Sequence, residues 1–161
     1  MARPEADQRL VPSVLDRLID ERPRSAQEPP ESAARSLPQL KEAVKRDLEW
    51  LLNSRQVLAD LPAELRQLDR SLLTYGLPDF TSATLSNTAD QDLLRRSVED
   101  AIRRFEPRLS RVSVALEAPR TLDRTLRFRI DALLHVEPEP EPITFDSVLQ
   151  LSTKTFVVSS E

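Results

Sequence analysis

No cysteine occurs among the 161 residues, so disulfides and thiolate metal sites are excluded. Gly76 is the single glycine, and one glycine cannot build a phosphate loop or a dinucleotide fingerprint. His135 is the single histidine, which leaves a histidine zinc site or a Ser-His-Asp triad almost nothing to work with. Apolar runs stay well short of the ~20 residues of a membrane span, and Met1 to Asp7 do not read as a signal peptide. Direct membrane insertion is therefore not expected, and a cytoplasmic location is. Excess positive charge is missing too. A net charge of -4 and a pI near 5.2 argue against a general nucleic-acid binder, because neutralising phosphates takes a basic surface.

What is present suits one domain with a single core. Apolar residues make up 39% and charged residues 31%, a balance that leaves part of the chain extended or dependent on a partner. Residues 1–35 are that part, carrying Pro4, Pro12, Pro23, Pro29 and Pro30 among charges. Residues 36–161 form the folded domain. Inside the polar segment lies an apolar island from Val11 to Ile19, where Pro12 and Ser13 can start a short helix. Val14, Leu15, Leu18 and Ile19 then share one face. A helix so short is marginal by itself and needs a surface, its own domain's or a partner's.

Ser36 is a suitable N-cap for a helix reaching Asn53, with Leu40, Val44, Leu48, Leu51 and Leu52 at helical spacing. Trp50 lies off that stripe, either as a lid on the core or as a contact surface. From Leu61 to Phe80, Pro62, Gly76 and Pro78 punctuate a short helix followed by a compact loop. Thr88 with Gln91 predicts a capping box for a second long helix, whose stripe is Leu94, Val98, Ala101, Ile102 and Phe105. Its other face alternates charge, Arg95–Glu99–Arg103 with Asp100 between Arg96 and Arg104. Such pairs contribute about 0.2–0.5 kcal/mol each, so this ladder reads as a solvated face.

Pro107 lacks an N–H and clashes with the preceding turn, so that helix ends near Phe105. Glu106 and Arg108 then stand at a forced change of direction, where they tie the helix end to the first strand or face a partner. Beyond Leu109 the period falls to two. Val112, Val114 and Leu116 alternate in one strand and Leu126, Phe128, Ile130, Ala132 and Leu134 in the next; a third extended run covers Ile143 to Val158. Glu137 to Pro142 alternate Glu and Pro, predicting a stiff solvated connector. His135 falls on a polar side. The fold class is α+β, two main helices packed on a small antiparallel sheet, with an extended N-terminal segment. The terminal β run lies at a sheet edge, which could accept or donate a strand.

Catalysis by a hydrolase would need two carboxylates facing one cleft. Glu106 is the candidate acid, with Asp79 or Asp131 as the second, yet no spacing brings them together. An interaction protein with no catalytic, cofactor-binding or metal-binding residues is the favoured reading. Four ordered blocks sharpen it: Pro12 to Leu18, Arg46 to Arg55, Ser71 to Asp79, and Phe105 to Leu109. Together they resemble the TssE family, baseplate wedge subunits of the bacterial type VI secretion system related to a contractile phage-tail baseplate protein. The resemblance implies a wedge subunit on the inner face of the cytoplasmic membrane that nucleates the contractile sheath. It implies baseplate partners resembling TssF, TssG and TssK, and sheath proteins resembling TssB and TssC. The family's Glu-Pro-Arg motif maps onto Glu106, Pro107 and Arg108 as a core support and sheath contact. Val14, Leu15 and Leu18 are the expected wedge-partner face. Relatives labelled lysozyme-like supply the alternative, a peptidoglycan hydrolase using Glu106.

Overall fold

The computed structural model describes residues 13–19, 37–57, 64–80, 87–117, 125–137 and 139–160. The proposed N-cap Ser36, the Leu61–Pro62 step and most of residues 1–35 lie outside these. Ser13 opens a short helix, α1 (Val14–Leu18), by a reciprocal cap. Its hydroxyl accepts from the Asp16 N–H at 3.1 Å, and the Asp16 carboxylate accepts from the Ser13 N–H at 3.1 Å. The apolar stripe of α2 (Leu37–Asn53) buries Ala43, Val44, Leu48, Leu51 and Leu52. Trp50 is not a lid on the core. It is exposed, with the Arg46 guanidinium 5.1 Å above its ring, because its position on the helix points away from the buried stripe.

Between the long helices the chain makes two 3-10 turns, Arg66–Arg70 and Leu72–Thr74, where a short helix and a loop were expected. The Thr74 hydroxyl donates within 3.1 Å of the carbonyls of Leu68, Asp69 and Ser71, local bonding that competes with an α-helix. The second long helix, α3 (Thr88–Phe105), is capped by Asn87, not Thr88. Asn87 Oδ1 accepts from the Ala89 N–H at 3.1 Å, and asparagine is the stronger N-cap of the two. As the proline predicted, α3 closes at Phe105, with the Glu106 N–H making the last bond to the Ile102 carbonyl at 2.9 Å.

Four strands follow, β1 (Leu109–Leu116), β2 (Thr125–Leu134), β3 (Glu141–Gln150) and β4 (Thr155–Ser160), in one antiparallel sheet of that order. The run from Ile143 to Val158 is thus a hairpin and not one strand. Lys154 makes its turn at a φ of 56°, donating its N–H to the Gln150 carbonyl at 2.7 Å, so no glycine marks it in the sequence. A bulge between Ser110 and Ser113 bends β1, with Arg111 at a φ of 50°. Pro142 sits inside β3, against Leu133 of β2, where β4 no longer flanks the strand's far side. Both helices cover one face of the sheet, and Phe128, Phe145 and Phe156 fill the space between. The opposite face is polar, with Arg129 placed between Glu117 at 3.4 Å and Asp146 at 3.6 Å.

Gly76 locks the loop before α3 to the end of α2. Its φ is 101°, and a Cβ there would stand 2.4 Å from the Ser54 carbonyl oxygen. The neighbouring Leu77 N–H donates to that oxygen at 2.9 Å, so Ser54 cannot retreat without losing the bond. Backbone strain of this kind costs about 1–3 kcal/mol per residue. Gly76→Ala should lower the unfolding free energy by about 2 kcal/mol or more in denaturant titration. A variant within about 0.5 kcal/mol of the parent would mean the Ser54 approach is not needed.

Candidate functional site

Where α3 turns into β1, five charged side chains from three places in the chain meet. Glu106 is the C-cap of α3 and only 4% exposed. Its Oε1 accepts from the Arg108 backbone N–H at 3.2 Å and from Arg108 Nε at 2.7 Å. Its Oε2 accepts from Arg108 Nη2 at 2.5 Å. Pro107 is exposed at the apex between them. The same Arg108 Nη2 donates to Asp47 Oδ2 on α2 at 2.5 Å. Asp47 Oδ1 in turn accepts from its neighbour Arg46, through Nη2 at 2.9 Å and Nε at 3.1 Å. Arg46 Nη2 reaches on to Asp16 Oδ1 on α1 at 2.7 Å. The chain of charges, Asp16–Arg46–Asp47–Arg108–Glu106, alternates in sign from end to end.

Burial works against the charged form of Arg108, but hydrogen bonds and charge from Glu106, then Asp47, outweigh it and hold its pKa above that of a free guanidinium. Arg46 is shifted the same way by Asp16 and Asp47, against its own burial. Burial raises the Tyr75 pKa, and the charges of Asp47 and Glu106 add to the rise. Its ring meets Phe105 edge-on at 5.2 Å, so the loop carrying it packs on the same corner. The backbone joins in as well. His135, exposed on its side chain, donates its N–H to the Arg108 carbonyl at 2.8 Å, fastening the corner to the end of β2.

Glu106 and Arg108 are therefore brought together, and α1 is linked to them through Asp47. Each of the four sequence blocks contributes to this corner: Asp16, Arg46 with Asp47, Tyr75, and Glu106 with Arg108. Nothing in the local pattern marks Asp16, Arg46 or Asp47 as site residues. Each reads as an ordinary helix charge, and the Asp47–Arg108 contact spans 61 residues of sequence. The bonds of the Glu106 carboxylate go to Arg108, while Asp79 is exposed and Asp131 lies elsewhere. Asp131 accepts from the Thr144 hydroxyl at 2.8 Å on the polar sheet face.

α1 is inside out. Its acid is the buried residue, Asp16 at 2% exposure, while Val14, Leu15 and Leu18 are 72%, 43% and 75% exposed. The helix is thus moored by its polar side and turns its apolar side to solvent, unlike an amphipathic helix packed on its own core.

Neither sheet edge is open along its length. On β4, Asn53 donates to the Phe156 carbonyl and accepts from the Phe156 N–H, both at 2.9 Å, and Glu49 accepts from the Val158 N–H at 3.0 Å. On β1, Arg103 donates to the Val112 carbonyl at 2.8 Å and Arg95 to the Val114 carbonyl at 3.2 Å, while Glu99 accepts from the Val114 N–H at 3.3 Å. Glu99 also pairs with both arginines. The charge ladder of α3 is consequently a strap on β1 as well as a solvated face, and Arg96 and Arg104 turn to Asp92 and Asp69. The readily available strand edge expected at the terminal β run is occupied by α2.

The sequence model for the baseplate wedge protein gp25 family matches residues 38–139. The chain belongs to that family. The match spans α2, the corner and the first two strands of this wedge-family chain, and leaves α1 and the β3–β4 hairpin outside. A chain in a solved structure, "The baseplate complex from the type VI secretion system", is similar at 21% identity and a TM-score of 0.47, covering 70% of this chain and 96% of that one. No curated protein matches. Among the described residues no helix is long and apolar enough to cross a membrane.

The mooring of α1 depends on an ionised Asp16. Burial raises its pKa, yet hydrogen bonds from Arg46 and Ser13 and the Arg46 charge leave it below the ordinary carboxylate value. A folded pKa below the unfolded one contributes stability that is present above about pH 4 and is lost as pH falls through the folded value. Hydrogen exchange at the Ile19 amide, which bonds the Leu15 carbonyl at 3.0 Å, should therefore lose protection on acidification once intrinsic rates are corrected for. Asp16→Asn should show the loss already at neutral pH. Unchanged protection in that variant would mean α1 is held by something other than this charge.

Proposed function

We propose that this protein is a non-enzymatic baseplate subunit of a type VI secretion system, joining the wedge and nucleating the contractile sheath from the cytoplasmic side of the inner membrane. The observation that carries the reading is the moored, inside-out α1 beside the Glu106–Pro107–Arg108 corner, in a chain of the baseplate wedge family. Residues 1–35 act as the partner-binding segment, and Val14, Leu15 and Leu18 meet a wedge subunit resembling TssF or TssG. An adaptor resembling TssK lies close by. The corner sets the sheet at a fixed angle to the helices, and the first sheath subunits, resembling TssB and TssC, build on that geometry. Addition of a sheath strand at β4 would require Asn53 and Glu49 to leave Phe156 and Val158. The corner itself is reachable without that step.

A peptidoglycan hydrolase using Glu106 is the second reading, and the corner geometry weighs against it. Both Glu106 oxygens are engaged by Arg108, and the nearby Asp47 is separated from it by the same guanidinium. Two carboxylates bound to one arginine cannot flank a scissile glycosidic bond. Purified protein incubated with peptidoglycan should release no more muropeptide than buffer. Release that disappears in Glu106→Gln would overturn the non-enzymatic reading.

Two variants test the corner. Arg108→Ala leaves Glu106 buried without its partner, and the loss should be about 2–4 kcal/mol, discounted for the solvent that reaches Arg108. The melt should stay cooperative while sheath assembly in cells falls sharply. Arg108→Lys keeps the charge but not the fork that serves two carboxylates, so it should be an intermediate case. Normal sheath assembly in both would remove the corner from the mechanism. Global unfolding of both would make it purely a support of the core.

The N-terminal face is tested separately by Val14→Asp with Leu18→Asp, which changes exposed residues only. The domain should melt as the parent does, and co-purification of wedge subunits should drop. Full retention of the wedge subunits would show that α1 faces something else.

A further inference from the structure

Natural sheet edges are guarded against pairing with other strands by lysine, proline, bulges or covering segments. β1 has a bulge, the exposed Arg111 beside it, and an ion-paired strap from α3. β4 has none of these in its own sequence. Thr155-Phe156-Val157-Val158-Ser159-Ser160 is an uncharged run without proline, rich in β-formers, and Val157 is exposed. Its outward backbone groups at Phe156 and Val158 would be a ready template for another copy of itself.

Asn53 and Glu49 engage the Phe156 N–H, the Phe156 carbonyl and the Val158 N–H among them. The asparagine carboxamide sets an NH2 donor beside a C=O acceptor, as a strand residue sets its N–H beside its carbonyl, and it engages the Phe156 carbonyl and N–H together while its second N–H donates to the Glu49 carbonyl at 2.8 Å. The spacing suits the task. Residues four apart on a helix rise about 6 Å, and residues two apart on a strand about 6.8 Å. Glu49 and Asn53 thus stand in step with Val158 and Phe156.

We propose that Asn53 and Glu49 act as a surrogate edge strand, whose role is to keep β4 from pairing antiparallel with β4 of a second copy of this chain. The occupant excluded is a second copy because the run carries no charge to repel itself, and antiparallel pairing of a strand with its own copy satisfies both chains alike. This inference stands apart from the baseplate reading and concerns the isolated protein. In the excluded pairing, Phe156 faces Val158 of the second copy, so Val157 faces its own counterpart. That is a non-hydrogen-bonded pair, with Cα atoms about 4.5 Å apart and within disulfide reach.

The cysteine-free sequence supplies a clean reporter. Val157→Cys in the full chain gives a basal rate of disulfide-linked dimer formation in oxidised glutathione. Adding Asn53→Ala and Glu49→Ala should raise that rate about tenfold or more, the order expected from losing one net hydrogen bond of guarding. Sedimentation of the same pair of substitutions without the cysteine should show dimer growing with concentration. An unchanged rate with an unchanged melt would overturn the proposal. If the double substitution does not fold, Asn53→Asp serves instead. It still accepts from the Phe156 N–H but cannot donate to the carbonyl, so cross-linking should rise by a smaller factor. No rise in that variant would overturn the proposal equally.

Discussion

Arg108 ties two helices and the start of the sheet together at one corner. Its guanidinium is planar and forked, so it can serve the Glu106 and Asp47 carboxylates at once, and a lysine ammonium has no comparable geometry. Glu106 terminates α3, Arg108 precedes β1, and Asp47 belongs to α2. One side chain therefore fixes the end of a helix, the start of the sheet and the flank of a second helix. The arrangement also explains why a carboxylate is tolerated at near-complete burial. Its oxygens receive three hydrogen bonds from the residue two positions on, so the desolvation of Glu106 is met locally.

The alternation of charge extends this corner outward to α1. Asp47 shares its two oxygens between Arg108 and Arg46, and Arg46 hands the connection to Asp16. A helix of five residues cannot sustain itself, and here it is held by one buried acid and a reciprocal cap instead of apolar packing. That choice leaves its leucines and valine exposed. It also makes the mooring electrostatic, through the Asp16–Arg46 pair.

Each long helix has two functions that use different sides of its surface. The apolar stripe of α2 or α3 packs on the buried sheet face, while polar residues beside that stripe reach the outward groups of the nearest edge strand. The four-stranded sheet thereby has outward groups engaged at both edges, at Phe156 and Val158 on β4 and at Val112 and Val114 on β1, which matters for a β surface with an uncharged terminal strand.

The helical stripes, the proline stop after Phe105 and the two-residue alternation of β1 and β2 were legible because each follows from local period and local sterics. The Lys154 turn, the Asn87 cap and the 3-10 turns were not, since a lysine in the left-handed region, a neighbouring cap and hydroxyl–carbonyl bonding leave only weak marks. By itself the sequence determined the α+β class, the near absence of catalytic vocabulary, the Glu-Pro-Arg corner and membership in a wedge family. Only the tertiary structure decided that Asp47 and Asp16 complete the corner, that α1 lies with its apolar side outward, and that Asn53 and Glu49 close the β4 edge. Those outcomes depend on contacts between residues 30 to 109 positions apart. Periodicity carries information over one or two turns, and nothing in it specifies which distant charge a buried arginine will meet.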